Sequence, residues 1–229
     1  MQLHTSGTYH CIIRLMFLTL AFLISGKVFA QSDNPFEQGI EYIQRSMNHK
    51  ADSVFSLVLR NEKDSEVRSM AFRYRGMARE ALGRYSLAVS DYNQAIALDA
   101  NDIELYVLRG KAFMLQGEVA QAQKDFQFVI QKDKKGPDGR QALEFLADVS
   151  MDEGQFEQAV QYYTRLIQLE PKKGKHFYMR AMARLKWMET RPDYKTLASN
   201  KQAACKDISK SLQLGYTYAQ ELQQEYCDD

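Results

Sequence analysis

Two windows of 34 residues follow each other without a gap between Ser69 and Gly136. In the first, Phe72, Gly76, Ala78, Gly83, Tyr85, Ala88, Tyr92 and Ala95 stand at fixed offsets. The same offsets in the second hold Tyr106, Gly110, Ala112, Gly117, Val119, Ala122, Phe126 and Val129. Residue size and polarity are kept at all eight places. An internal period of this length marks a solenoid, because one unit is too small to bury its own apolar face and must stack on copies of itself. The small residues Gly76, Ala78, Gly110 and Ala112 let two antiparallel helices approach closely. Gly83 and Gly117 fall where a first helix ends, a place that favours a residue free to take positive φ. Ala88, Tyr92 and Ala95, spaced four and then three, place one face of a second helix against the first. Each unit is therefore a helical hairpin, and the fold class is all-α.

The period extends beyond these two windows. Asn34 and Pro35 open a helix, Asn34 as cap and Pro35 in its first turn. Phe36, Ile40, Ile43 and Met47 follow on one side, and Gly39 sits where Gly76 does. Ala51, Phe55 and Val58 then repeat the four-and-three spacing from about Lys50, so residues 32–65 read as a degenerate first unit. After the units at 69–102 and 103–136, Lys132 to Gly139 reads as a loop with three inserted residues. A fourth unit occupies 140–173, with Leu143, Ala147, Gly154, Phe156, Ala159, Tyr163 and Leu166, and closes at Pro171, which cannot continue a helix. The fifth, 174–214, begins with Phe177, Ala181 and Ala183. Its second helix is expected to resume only at Ala204, 11 residues late, because Thr190-Arg191-Pro192-Asp193 within the 187–202 insertion resists helix. A solitary helix over 217–227 is expected to cap the last hairpin, whose apolar end needs covering.

This pattern resembles the tetratricopeptide repeat (TPR), whose consensus has small residues at positions 8, 20 and 27, a large apolar residue at 24 and often proline at 32. Gly76, Ala88, Tyr92 and Ala95 match the first four, and Ala100 replaces the proline. The stretch ACKDISKSLQLG with a cysteine closing the chain is similar to the end of exported TPR proteins of the Bacteroidetes type. The resemblance implies a right-handed α-solenoid whose first helices line a concave groove through positions 2, 5, 9 and 12. Those are Met70, Arg73, Met77 and Glu80; Glu104, Val107, Lys111 and Met114; Gln141, Glu144, Asp148 and Met151; Lys175, Tyr178, Met182 and Leu185. Each of these four units contributes a methionine, a flexible and polarizable side chain suited to variable peptide partners. Family members that clamp a terminal carboxylate use lysine and asparagine at positions 5 and 9. The pairs Arg73/Met77, Val107/Lys111 and Glu144/Asp148 do not match them.

The amino end has a different character. A basic flank at His10 to Arg14, the apolar run Leu15 to Ile24, and small residues before Gln31 read as a secretory signal over residues 1–30. The apolar run is shorter than the ~20 residues of a crossing helix, so no stable membrane span is expected once the signal is removed. The 229-residue chain has a net charge of +1. Losing Arg14 and Lys27 with the signal leaves 28 basic against 29 acidic residues. Such a balance gives no reason to expect nucleic acid. Cys11 leaves too, and Cys205 and Cys227 remain as an even pair in an exported chain. They lie at similar distances on either side of the turn at Gly215-Tyr216, so two antiparallel helices bring them level, and a disulfide is expected.

No catalytic constellation is evident. His49, read as a turn residue, and His176, read as a plain polar helix residue, are far apart and in no metal-binding motif. Gly110-Lys111 lacks the flanking residues of a phosphate loop. No cofactor and no metal is expected, and the chain is not read as an enzyme. Lys132, Lys134 and Lys135 in one loop, and Lys172, Lys173 and Lys175 near the next, could form a basic rim for an anionic envelope component. The sequence thus points to an exported (periplasmic or extracellular) scaffold that binds a peptide or protein segment in its groove. The alternative is a structural subunit of a cell-envelope assembly that packs through the convex face or the 187–202 insertion, with Trp187, Met188 and Tyr194 as anchors.

Overall fold

The computed structural model describes residues 34–190 and 194–227. The signal expected at residues 1–30 lies outside the described residues, as do Arg191, Pro192 and Asp193. Helices follow one another as α1 (Pro35–Gln44), α2 (Asn48–Asn61), α3 (Ser65–Ala81), α4 (Tyr85–Leu98), α5 (Ile103–Gln116), α6 (Val119–Lys132), α7 (Pro137–Asp152), α8 (Phe156–Leu169), α9 (Gly174–Thr190), α10 (Tyr194–Gln213) and α11 (Ala219–Tyr226). There is no strand among the described residues. Each helix packs on the next in sequence, and the first helices of the first four hairpins also meet directly, α1 on α3, α3 on α5 and α5 on α7. That additional contact makes the first helices the inner layer of an all-α solenoid.

Local chemistry explains the punctuation. The Asn34 side chain accepts from the Phe36 amide and Asp64 from the Glu66 and Val67 amides, so two helix starts are capped as their sequences require. Gly117 ends α5 with φ 85°, and Gly83 takes φ 71° after α3. The first hairpin makes the same turn with Ser46 at φ 56°.

Within a hairpin the glycines act by being small. A Cβ on Gly76 would stand 2.6 Å from the Tyr92 ring, and one on Gly110 would stand 2.7 Å from Phe126. Gly39 meets Phe55 in the same way at 2.6 Å. A large ring on each of α2, α4 and α6 therefore lies close against the backbone of the preceding helix, and Phe55, Tyr92 and Phe126 are fully buried. The apolar clusters bridge successive units, so the core is a continuous strip: one cluster holds Phe126 of α6 together with Leu143, Tyr163 and Ala183 from α7, α8 and α9.

An ion pair runs alongside. Arg75 grips Asp91 through two hydrogen bonds (3.1 and 2.7 Å), Arg109 grips Asp125 (2.9 and 2.7 Å), and Arg180 grips Asp207 (2.8 and 2.6 Å). The partners are 16 residues apart in the first two and 27 in the third, so the fifth hairpin recovers its register after 11 extra residues.

Three local expectations change. The insertion lengthens both helices of the fifth hairpin, to 17 and 20 residues against 14 in α5 and α6, where the sequence suggested a break through Thr190 and a restart at Ala204. Thr190 ends α9 with its hydroxyl donating to the Trp187 carbonyl at 2.9 Å. Pro137 to Gly139 belongs to the first turn of α7, because the Asp133 carboxylate accepts from the Gly136 and Gly139 amides at 2.6 and 3.0 Å and organises that start. His49 lies in α2 and not in a turn.

At the carboxyl end, Cys205 of α10 and Cys227 after α11 form a disulfide with their Cα atoms 5.7 Å apart. Ala219, Leu222 and Tyr226 of α11 cover Ala204, Ile208 and Leu212 of α10.

Candidate functional site: the inner face of the solenoid

The inner face is crossed by ion pairs between neighbouring units. Arg73 of α3 reaches Glu104 of α5 at 2.6 Å and Asp102 at 3.3 Å. Glu80, two turns further along α3, receives Lys111 of α5 at 2.6 Å. Glu144 of α7 receives Lys173 at 2.7 Å and His176 of α9 at 2.9 Å. Asp148 accepts from the Tyr163 hydroxyl at 2.9 Å. The charges at the expected groove positions thus lie side by side across neighbouring units, and most have partners within the chain.

Electrostatics follow this pairing. The His176 and Lys173 hydrogen bonds hold the Glu144 carboxyl down at about 2, from an ordinary 4.5. Burial pushes the Asp148 carboxyl up, partly countered by the Tyr163 hydroxyl. Burial, and then the neighbouring carboxylates Glu80 and Asp148, push the Tyr92 and Tyr163 phenols up respectively. Both phenols therefore keep their protons near neutrality.

The apolar positions divide into two groups. Met70, Met77, Met114, Met151, Met182 and Tyr178 are half-buried and keep part of their side chain on the surface. Met77 packs on Ala88, Tyr92 and Ala112, while Met114 and Met151 lean on the central cluster. Tyr178 contacts Tyr216, their ring centroids 5.3 Å apart. Val107 and Leu185 are corrected: they are 2% and 4% exposed and belong to the core, so they do not line the groove. Val107 packs in the central cluster, and Leu185 packs with Ala204 and Ile208 of α10.

His176 also needs correction. It is 1% exposed, and its Nε2 lies 2.9 Å from Glu144 and 3.7 Å from Glu170. Sequence reasoning set it aside for lack of a motif. The available signal was its distance from Glu144, 32 residues, which is nearly one repeat and brings two positions level in a solenoid. Of the residues expected to form a basic rim, Lys173 is drawn to Glu144 and Glu170, while Lys172 and Lys175 are exposed. Of the expected anchors, Met188 packs back on the terminal cluster. Trp187 lines a shallow surface cleft with Phe156, Gln158, Gln161 and Thr190. The Tyr194 side chain lies outside the described residues.

Residues 76–138 match the family described as TPR repeat, and residues 142–176 match the one described as tetratricopeptide repeat. Several solved structures share the architecture. MamA (residues 41 to the end) from Desulfovibrio magneticus RS-1 is 16% identical, with 82% of this chain and 98% of that one covered and a TM-score of 0.64. The C-terminal part of a TPR repeat-containing protein from Cytophaga hutchinsonii is 18% identical, with 78% and 64% covered and a TM-score of 0.65. YrrB, described as a TPR protein with an unusual peptide-binding site, is 14% identical, with 83% and 90% covered and a TM-score of 0.62. At these identities the likeness is one of fold. No curated protein sequence matches the chain.

Proposed function

We propose that this chain, an all-α solenoid whose residues 76–138 and 142–176 match tetratricopeptide-repeat families, is a non-catalytic scaffold for protein–protein contacts and a structural subunit of a cell-envelope assembly. In this reading it joins its partners through the outer side of the solenoid and the lengthened fifth hairpin. One observation carries the reading: most charged side chains of the inner face are paired with one another between successive units. A partner entering the groove would have to break Arg73–Glu104 or Lys111–Glu80 before using either cation, and would repay only what those pairs already have. Large apolar side chains stand in water mostly on the second helices, with Leu115 near the end of α5 (47% exposed) an exception. Leu57 of α2 is 43% exposed, and Leu87 and Leu98 of α4 are 48% and 41% exposed. Trp187 adds an aromatic edge on α9.

Export is part of the same proposal. It is supported by the signal-like residues 1–30 and by the disulfide, a bond that persists in oxidising compartments. The exposed Lys172 and Lys175 would then face an anionic envelope component.

A second reading, in which a peptide or protein segment lies along the groove, is favoured by the half-buried methionines and Tyr178, which could grip apolar side chains without disturbing the ion pairs. One experiment separates the two. Crosslinked partners are captured with wild type, with an outer variant (Leu87→Ser/Trp187→Ala) and with a groove variant (Met114→Ala/Tyr178→Ala), all checked for native helix content. The assembly reading expects capture to fail with the outer variant alone. Capture lost only with the groove variant overturns it in favour of the second.

A further inference from the structure

Where the fourth hairpin meets the fifth, three side chains converge from three different places in the chain. Glu144 projects from the middle of α7, Glu170 lies just after α8, and His176 lies in the first turn of α9. One carboxylate oxygen from each glutamate and one imidazole nitrogen all fall within 4.8 Å of one another. We propose that Glu144, Glu170 and His176 form a binding site for a divalent transition-metal ion of the zinc class, which displaces the Lys173 ammonium and ties the fourth repeat to the fifth.

The ligand set fits. One imidazole and two carboxylates are a recurrent borderline-soft donor set for zinc, with bonds of about 2.0–2.2 Å and a fourth position left for water. His176 Nε2 already stands 2.9 Å from Glu144 and 3.7 Å from Glu170, so small side-chain adjustments bring the three donors around one ion. The backbone elements carrying them are held by the core strip, and His176 is 1% exposed, so one donor is fixed before any ion arrives.

Two further observations point to a cation. The first is that one is already there: Lys173 Nζ sits 2.7 Å from Glu144 and 3.3 Å from Glu170, a single positive charge between the two carboxylates. Its side chain is 43% exposed and has open water to swing into, so its displacement costs little packing. The second is the imidazole itself. Its Nδ1 is buried without a hydrogen-bond partner, so His176 is not placed to complete an internal network on that side. Its polar contacts are with the two carboxylates at Nε2. A buried imidazole satisfied on one edge only, and facing two carboxylates with that edge, is arranged to share an ion with them.

The bare Nδ1 also sets the strength of the site. A metal-bound imidazole normally donates from its other nitrogen, and loss of such a partner costs about 10–100-fold in affinity. The site therefore belongs to the exchangeable, on the order of micromolar, class and not among permanently loaded structural zinc sites.

Titration of zinc into the tag-free, disulfide-bonded full chain by calorimetry tests the proposal, with cobalt absorption as a second probe of nitrogen–oxygen ligation. Wild type is expected to bind one ion per chain and to gain thermal stability with added zinc. Glu170→Gln, a half-exposed position that leaves the core alone, is expected to weaken binding at least about tenfold. Lys173→Met, which removes the competing ammonium, is expected to tighten it by about tenfold. Saturable binding in neither wild type nor Lys173→Met overturns the site. Unchanged zinc affinity in Glu170→Gln places the ion elsewhere and overturns it equally. Equal affinity in Lys173→Met and wild type overturns the displacement of the lysine.

Discussion

At the scale of single residues, the closest tolerance in the molecule is between a glycine and a ring. Tyr92 and Phe126 lie where a Cβ on Gly76 or Gly110 would be, at 2.6 and 2.7 Å. The fourth unit carries Ala147 at the glycine position, in the same buried cluster as Tyr163, whose hydroxyl donates to Asp148. Gly76→Ala therefore has two opposed effects. It gains helix propensity, worth up to about 1 kcal/mol, and forces a fully buried tyrosine off its position, at a cost of about 1–3 kcal/mol. The second wins because Tyr92 is 0% exposed and has nowhere to go. Urea denaturation should show Gly76→Ala less stable by about 1–2 kcal/mol. The paired change Gly76→Ala/Tyr92→Leu should recover part of the loss, since the smaller side chain vacates the space. A single variant as stable as wild type would show that the ring moves freely and that the tight approach does not hold the hairpin.

At the scale of elements, α11 is the least self-sufficient helix. It has eight residues, of which Ala219 alone is buried, and isolated helices shorter than about 12 residues are marginal in water. What fixes it is the Cys205–Cys227 bond, which closes a loop with a sequence separation of 22. Reduction should lower stability by about 2–4 kcal/mol, and hydrogen exchange should localise the loss to residues 217–227 before any other helix opens. Uniform loss of protection along the chain would mean that the cap is coupled to the whole solenoid. The elements were also the most legible level in the sequence. The four-and-three spacing at Ala51, Phe55 and Val58, and the cap at Asn34, identify α1 and α2 despite the degenerate first unit. Misreadings arose where one local signal competed with a tertiary one. Thr190-Arg191-Pro192-Asp193 looked like a long break, yet α9 and α10 lengthen on either side because their inward faces keep packing on each other. Gly139 looked like loop, yet the Asp133 carboxylate collects the amides of a helix start there.

At the scale of the whole molecule, the repeat determines which residues become neighbours but not whether they are free. Arg73 meets Glu104 and Glu80 meets Lys111 across a separation of 31 residues, about one helical turn short of the 34-residue unit. Burial of Val107 and Leu185, and the partners of Glu144, depend on how far each unit rotates on the last, which no single-unit pattern records. The same architecture implies a largely one-dimensional stability, intrinsic to each unit plus one interface per neighbour. The contacts agree: packing is between consecutive elements and between successive first helices. Ala183 of α9 lies in the cluster built around Tyr163 and Leu166. Removing residues 174–229 therefore uncovers that side of the cluster and strips the His176 hydrogen bond from Glu144. The first three hairpins, which contact none of the deleted helices strongly, should keep their helical signal. The truncated chain is expected to unfold at lower urea, with an m-value reduced roughly in proportion to the surface lost, and to bind a hydrophobic dye at its new end. Complete loss of helix on truncation would contradict a nearest-neighbour solenoid and require long-range cooperativity from the fifth hairpin to the first.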